Sequence, residues 1–195
     1  MSGTPVLIYA ESTPNPATLK FVANVFMLPE NSAEYLRAEE AEGAPLVQAL
    51  FEFPFVRSVY VCNNFVTITK KEFTSWTEII PQVREFLKNW LQEGKDVIVM
   101  MPAKREEVKP VSIDDLNAEG VSGQIIAALD EYVKPAVESD GGEISFVSFD
   151  KGVVTVRLQG SCSGCPSSTV TLKQGIENLL KKMVPGVTEV VAENA

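Results

Sequence analysis

The chain reads GSCSGCPSS at residues 160–168, and this stretch lies between a predicted strand and a predicted helix. Before it, valine and leucine alternate with polar residues from Val154 to Leu158, a pattern that is typical of a half-buried strand. After it, apolar residues recur at helical spacing, at Leu172, Ile176, Leu179 and Met183. Two of the chain's three cysteines therefore lie in a loop that joins a strand to an amphipathic helix.

The two cysteines of this loop, Cys162 and Cys165, are spaced so that both sulfurs can bind one metal, one edge of a cluster or each other. The start of a helix presents unpaired N–H groups and a partial positive charge, which stabilise a nearby anion by roughly 0.3 to 1 kcal/mol and can lower the pKa of a thiol. We expect Pro166 to begin this helix, Ser167 or Ser168 to cap it, and the small residues around the cysteines to direct N–H groups at sulfur. The loop therefore favours thiolate chemistry over an inert buried pair or an adventitious disulfide.

The number of thiolates limits what one copy of the loop can hold. A 4Fe-4S cluster is normally held by four cysteine thiolates, whereas this loop supplies only Cys162 and Cys165. Two copies of the chain would supply four, and a zinc site with four sulfurs would need the same pairing. If the loop binds metal, it therefore predicts a site shared between two chains.

A thiol-disulfide oxidoreductase is the enzyme alternative, because it also places Cys-x-x-Cys at the start of a helix after a strand. Here, however, Pro166 follows the second cysteine instead of lying between the two, and a helix and a hairpin precede the loop where thioredoxin has a βαβ unit. A structural zinc clamp between protomers is the non-enzyme alternative, and the metal found on purification separates it from an iron cluster. The residues favour a cluster and leave these two alternatives open.

Three runs around the loop closely resemble the NifU-like C-terminal domain of Nfu-type iron-sulfur proteins. They are SDGGE at residues 139–143, VRLQG at 156–160 and CSGCPSST at 162–169. The resemblance implies a scaffold or carrier, not an enzyme, that binds a 4Fe-4S cluster between two protomers through Cys162 and Cys165 and passes it to apo-proteins. It also implies a homodimer when the cluster is bound, upstream cluster assembly proteins as partners, and apo iron-sulfur proteins as recipients.

The chain is long enough for two small domains, and its patterns predict an α+β fold in each. We assign residues 4–101 to an N-terminal domain, 102–117 to a charged, proline-containing linker, and 118–195 to the C-terminal domain. The run TPNP at residues 13–16, followed by LKF at 19–21, resembles the N-terminal domain that accompanies the NifU-like module in Nfu proteins. No chemistry is visible in that domain.

Apolar patterns predict most elements of the N-terminal domain. Strands are predicted at residues 19–22, 25–28, 56–62, 65–69 and 97–101, and helices at 45–51 and 76–91. Prolines predict a loop at residues 11–16 and a turn at 29–32, Asn63-Asn64 predicts a hairpin turn, and residues 33–42 are acidic enough for a solvated helix or loop.

In the C-terminal domain, one helical face is predicted to carry Ile125, Ile126, Leu129, Val133 and Val137, with a bend at Pro135. The Asp140-Gly141-Gly142 run ends this helix, so Asp140 and Glu143 are interpreted as a cap and a strand-entry charge. Strands follow at residues 144–149 and 153–158 around a turn at 150–152, and a last strand is predicted at 186–191.

Three residues with possible functional chemistry are interpreted as structural. Cys62 ends a predicted strand, where a lone cysteine usually packs as a small apolar residue. Trp76 and Trp90 lie on the predicted helix of the N-terminal domain, where core packing is the commoner use of a tryptophan.

Composition excludes several classes of function. The 195-residue chain contains no histidine, which removes serine-histidine and cysteine-histidine nucleophile systems and histidine metal sites. Its formal charge of -9 disfavours nucleic-acid binding. Gly94-Lys95 is followed by Asp96 where a phosphate-binding loop needs serine or threonine, so no nucleotide site is expected.

The sequence also gives an expectation for location. It contains no apolar run of about 18 residues, and its first residues lack a basic region followed by an apolar core. Three cysteines, two of them close together, do not resemble the disulfide framework of a secreted protein. We therefore expect a cytoplasmic protein that does not interact with membranes.

Overall fold

The structure is a computed structural model, and it describes residues 5–102, 115–163 and 166–194, with the side chains of residues 30, 115–119, 166–169 and 194 outside the description. The chain divides into two compact units, residues 1–103 and 104–195. Each unit combines helices with one sheet, which confirms the α+β prediction. The predicted linker lies mostly outside the described residues, and its last residues are helical from Asp115 onward.

The first unit is a five-stranded antiparallel sheet with two helices. Its strands are β1 Ile8–Ser12, β2 Thr18–Ala23, β3 Leu28–Tyr35, β4 Val56–Asn63 and β5 Phe65–Lys70. A short 3-10 helix covers Ala38–Ala41, and the α-helices are α1 Pro45–Phe51 and α2 Trp76–Gln92. The strand order is β1-β2-β5-β4-β3, so the predicted hairpin of β4 and β5 lies within the sheet and not at its edge.

The predicted helix at 76–91 is confirmed, and its ends follow from local chemistry. The Ser75 side chain accepts a hydrogen bond from the Thr77 N–H, which caps the first turn, and Gly94 adopts φ 68° just past the last turn. Ile79, Val83 and Leu87 recur every four residues and are fully buried. This stripe attaches α2 to the core of the first unit.

Strand β3 was not predicted. The proline-containing run at 29–32 resembles a turn, but β3 pairs with β4 at Leu28 opposite Asn63 and again at Ser32 opposite Cys62. The residues between form a bulge inside the strand, after which Ala33 and Tyr35 point into the core. Pairing with β4 and burial therefore override the local turn signal.

Other N-terminal boundaries were also wrong. β1 extends through Ser12, into the predicted loop, because its residues pair with β2 as far as Leu19. Residues 25–27 are not a strand, and neither is the apolar run at 97–101. In that last run the N–H groups of Val99 and Met100 both donate to the carbonyl of Gly43, so it is held to a loop and not to the sheet.

The second unit is a three-stranded sheet covered by helices. Its helices are α3 Asp115–Ala128, a π-helical turn Leu129–Val133, α4 Lys134–Ser139 and α5 Pro166–Met183. Its strands are β6 Gly142–Asp150, β7 Val153–Gly160 and β8 Glu189–Asn194. β7 lies in the middle, antiparallel to β6 and parallel to β8, so α5 is the crossover between the two parallel strands.

The predicted strand at 153–158 is confirmed by burial, since Val154, Val156 and Leu158 are fully buried. The predicted buried positions of α5 are confirmed only in part. Ile176 is buried and Leu179 half-buried as expected, but Leu180 is fully buried and Met183 is 43% exposed. The last strand begins at Glu189, later than predicted, because residues 184–187 form a turn in which the Val187 N–H donates to the Val184 carbonyl, and the Thr188 N–H then donates to the Gly152 carbonyl.

The helix before β6 shows why Pro135 is tolerated. Proline has no N–H and clashes with the carbonyl four residues earlier, and the chain widens into the π-helical turn Leu129–Val133 just ahead of it. Buried positions still recur every four residues, at Ile125, Leu129, Val133 and Val137. Ile126, which was predicted to share this face, is 42% exposed.

Within the described ranges, none of the helices has the length and apolar character needed to cross a lipid bilayer.

Tyr35 provides a test of the first unit's core. Its side chain is fully buried, burial raises its pKa to about 12, and among the described residues its hydroxyl has no hydrogen-bond partner. An unsatisfied buried hydroxyl costs about 1–3 kcal/mol, so Tyr35→Phe should leave the free energy of unfolding unchanged or raise it. Denaturant unfolding followed by circular dichroism measures the change.

Thr18→Val is the matched control for Tyr35→Phe. The Thr18 hydroxyl is also buried but donates to the Asn15 carbonyl at 3.0 Å and is hydrogen-bonded to the Thr13 hydroxyl, so its removal should lower the free energy of unfolding by about 1–2 kcal/mol. A comparable loss in Tyr35→Phe would show that the Tyr35 hydroxyl is hydrogen-bonded.

Candidate metal centre

The cysteine loop lies at the carboxyl end of β7, between Gly160 and the first residue of α5, Pro166. Pro166 begins the helix as predicted, whereas Ser167 and Ser168 lie inside it and are not its N-cap. Gly164 and Cys165 lie outside the described residues, so the structure does not place the second predicted ligand. The described part of the cysteine loop is therefore residues 160–163.

A tight turn fixes the backbone of Cys162. The Ser163 N–H donates to the Gly160 carbonyl at 3.2 Å, and the Ser163 hydroxyl donates to the same oxygen at 2.9 Å. Gly160 has φ 67°, a conformation that glycine adopts readily and most other residues avoid. Cys162 is the third residue of this turn, so its position follows from Gly160 and Ser163.

Ser161 ties the turn to the segment that joins α4 to β6. Its hydroxyl donates to the Asp140 carbonyl at 2.5 Å, and its N–H donates to the Gly141 carbonyl at 3.2 Å. The N–H groups of Ser161 and Ser163 thus donate to carbonyl oxygens of the surrounding backbone and not, as was predicted, to sulfur. Asp140 and Gly141 end α4 as predicted, with Gly141 at φ 80°.

The role of the Asp140-Gly141-Gly142 run as the support of the cysteine loop was missed by sequence reasoning. The β6–β7 ladder pairs Gly142 with Gly160, so the first residue of the hairpin lies beside its last. The sequence did contain a signal for this contact, because Gly142 and Gly160 flank the two strands of the predicted hairpin. Within the described residues, no three cysteine or acidic side chains lie close enough to hold a metal ion.

Cys162 is largely buried, with only 8% of its surface exposed, and it belongs to the core of the second unit. Burial raises the pKa of its thiol; the nearby Ser161 hydroxyl, 3.8 Å from the sulfur, opposes this effect, and the Asp140 carboxylate adds to it. The expected lowering by the helix start is therefore wrong for Cys162 in the metal-free chain. The reason is that the sulfur lies against the sheet, in a turn that precedes the helix.

The three other residues weighed in the sequence pack as predicted. Cys62 is 7% exposed and packs with Tyr60 and Phe65 on β4 and β5. Both tryptophans pack against the core of the first unit, and their ring N–H groups donate to backbone carbonyls, Trp76 to Pro16 and Trp90 to Asp96.

The raised pKa of Cys162 predicts slow alkylation of the metal-free protein. In a chain carrying Cys62→Ser and Cys165→Ser, the reaction of iodoacetamide with Cys162 should show an apparent pKa above the ordinary thiol value of about 8.5, because only the thiolate reacts. The folded state holds this proton more tightly than the unfolded state, so stability should fall as the pH rises above that ordinary value. A rate profile with an apparent pKa below the value of the urea-unfolded chain would contradict the burial argument.

Known proteins match both units. Residues 8–94 match the family described as scaffold protein Nfu/NifU N terminal, and residues 125–191 match the NifU-like domain. The NFU1 iron-sulfur cluster scaffold homolog, mitochondrial, of Drosophila willistoni is 36% identical over 95% of this chain and 63% of its own length. NifU-like proteins 4 and 5, mitochondrial, of Arabidopsis thaliana are each 34% identical over 96% of this chain and over 66% and 68% of their own lengths.

The names of these relatives contradict the expected cytoplasmic location, since all three are called mitochondrial. The expectation rested on few cysteines and no disulfide framework, and this pattern indicates a reducing compartment without identifying which one. It also rested on the first residues of the chain, whereas the chain spans only about two thirds of the length of these relatives.

Both domain families are matched in order, and relatives 34 to 36% identical align over nearly the whole chain. The protein therefore belongs to the Nfu family, in which an Nfu/NifU N-terminal domain precedes a NifU-like domain.

Proposed function

We propose that this protein is an iron-sulfur cluster scaffold or carrier, not an enzyme, and that Cys162 and Cys165 bind the cluster. The observation that carries the proposal is the rigid presentation of Cys162 in a hydrogen-bonded turn at the end of β7, inside the domain that matches the NifU-like family. The names of the relatives support the same role, and they favour a mitochondrial location.

The ligand count favours a 4Fe-4S cluster shared between two copies of the chain. Such a cluster is normally held by four cysteine thiolates, and the loop supplies two per chain. The only other cysteine, Cys62, is buried in the first unit on strand β4. Two cysteine loops that face each other therefore supply all four thiolates. Cluster binding then stabilises the dimer by mass action.

The burial of Cys162 suits a protein that must release its cargo. A thiol must lose its proton to bind iron, so protons compete with iron for Cys162 and binding depends on pH. A recipient apo-protein with a complete set of cysteines can then take the cluster by thiolate exchange, with no covalent step on this chain. Upstream assembly proteins supply the cluster in this scheme.

The oxidoreductase alternative loses support from the structure. An attacking cysteine must be accessible and readily ionised, whereas Cys162 is buried and its pKa is raised. A zinc-bridged dimer would use the same thiolates, and metal analysis of the purified protein distinguishes it from the iron-sulfur proposal.

Cysteine substitutions test the proposal. Cys162→Ser and Cys165→Ser should each abolish the visible absorbance of the cluster after anaerobic reconstitution with iron and sulfide, because each removes a thiolate ligand. Cys62→Ser is the matched control and should retain the absorbance, since Cys62 packs in the first unit. Loss of the cluster in folded Cys62→Ser, or its retention in Cys162→Ser, would contradict the assignment, and zinc in place of iron would favour the structural alternative.

A further inference from the structure

Three glycines, Gly141, Gly142 and Gly160, hold the cysteine loop against the end of α4. Gly142 is the one among them whose backbone conformation does not require glycine. Gly141 and Gly160 have φ values of 80° and 67°, which favour glycine. Gly142 lies outside that left-handed region, in β6, where other residues fit the backbone. Glycine at this position therefore needs a reason in its surroundings.

The space around Gly142 supplies that reason. A Cβ atom added there would lie 2.9 Å from the Cys162 sulfur, 3.2 Å from the Cys162 nitrogen and 2.7 Å from the Gln159 carbonyl oxygen. Nonbonded heavy atoms pack best at about 3.5–4.0 Å, so a methyl group and the sulfur cannot both keep these positions. The Gln159 carbonyl oxygen and the Cys162 sulfur together fill the space that a side chain at Gly142 would need.

The backbone around the sulfur cannot easily move to relieve such a clash. Gln159 belongs to the β6–β7 ladder, where it pairs with Glu143. Ser161 is held to the α4–β6 segment by two hydrogen bonds, and Ser163 to Gly160 by two more. The sulfur, at the end of a side chain that can rotate, is the most movable of the atoms in contact.

We propose that Gly142 is a positioning residue for Cys162: its missing side chain leaves the space in which the Cys162 sulfur is held in the orientation that binds the cluster. The inference rests on the proposed function for its consequence, since Cys162 is the ligand. The contact between Gly142 and the sulfur is tested independently of any cluster.

The test compares Gly142→Ala with Gly152→Ala in the full chain. Gly152 lies at the opposite end of the same hairpin, and a Cβ there would lie 2.7 Å from the Thr188 hydroxyl oxygen and 2.9 Å from the Gly186 carbonyl oxygen. Gly152→Ala therefore crowds and strains the second unit without touching Cys162, so it controls for loss of stability alone.

The first measurement is the alkylation of Cys162 in metal-free protein that carries Cys62→Ser and Cys165→Ser. Gly142→Ala should increase the rate several-fold under native conditions, because the displaced sulfur becomes more accessible, and Gly152→Ala should leave it unchanged. Equal rates in Gly142→Ala and the parent would overturn the proposal.

The second measurement is a double-mutant cycle by denaturant unfolding, which remains informative when Gly142→Ala folds poorly. The midpoint loss caused by Gly142→Ala should shrink when Cys162→Ala removes the sulfur, whereas the loss caused by Gly152→Ala should be the same in both backgrounds. Purely additive effects at Gly142 and Cys162 would overturn the proposal.

The third measurement uses the chain with all its cysteines after reconstitution. Gly142→Ala should lose its cluster to a chelator several-fold faster than the parent, and Gly152→Ala should match the parent. Coupling in the cycle with an unchanged rate of cluster loss would overturn the positioning role. If the parent takes up no cluster, the proposed function fails while the cycle still decides the contact.

Discussion

The pairing of Gly142 with Gly160 at the open end of the β6–β7 hairpin is the constraint on which the site depends. It brings the end of α4 beside the cysteine loop, which lets Ser161 bind the Asp140 and Gly141 carbonyls. The parallel pairing of β7 with β8 then requires a crossover, and α5 provides it directly after the cysteines. The loop is therefore held on one side by the hairpin and continued on the other by a helix.

The burial of Cys162 has two opposing effects on its ability to bind a ligand. A fixed sulfur has little side-chain freedom to lose when it binds a ligand, yet the burial that fixes it also raises the pKa of the thiol, so that protons compete with the ligand. A resident cofactor would favour tight binding, whereas cargo must be bound and then released. The buried, hydrogen-bonded turn is consistent with the second requirement.

Elements with a strong local signal were predictable from the sequence. The alternation of apolar and polar residues from Val154 to Leu158 predicted β7, and Pro166 predicted the start of α5. β3 was missed because its turn-like residues form a bulge whose existence depends on pairing with β4. Such pairing joins residues far apart in the chain, and no local pattern reports it.

The position of the cysteine loop, between β7 and α5, was predictable from the sequence, whereas the chemistry of Cys162 was not. The Cys-x-x-Cys spacing identified the loop, but the direction of the pKa shift at Cys162 depends on burial against the sheet, which the helix-start argument could not include. The function of Gly142 likewise depends on a contact with Cys162, twenty residues further along. Both are properties of packing and not of local sequence.

The central claim, that two chains share one cluster, is tested most directly by measuring molecular mass by light scattering together with iron and sulfide content across an anaerobic reconstitution series. The account predicts one 4Fe-4S cluster per two chains, with iron content and dimer fraction rising together. A cluster-loaded monomer without added thiol, or one complete cluster per chain, would contradict it.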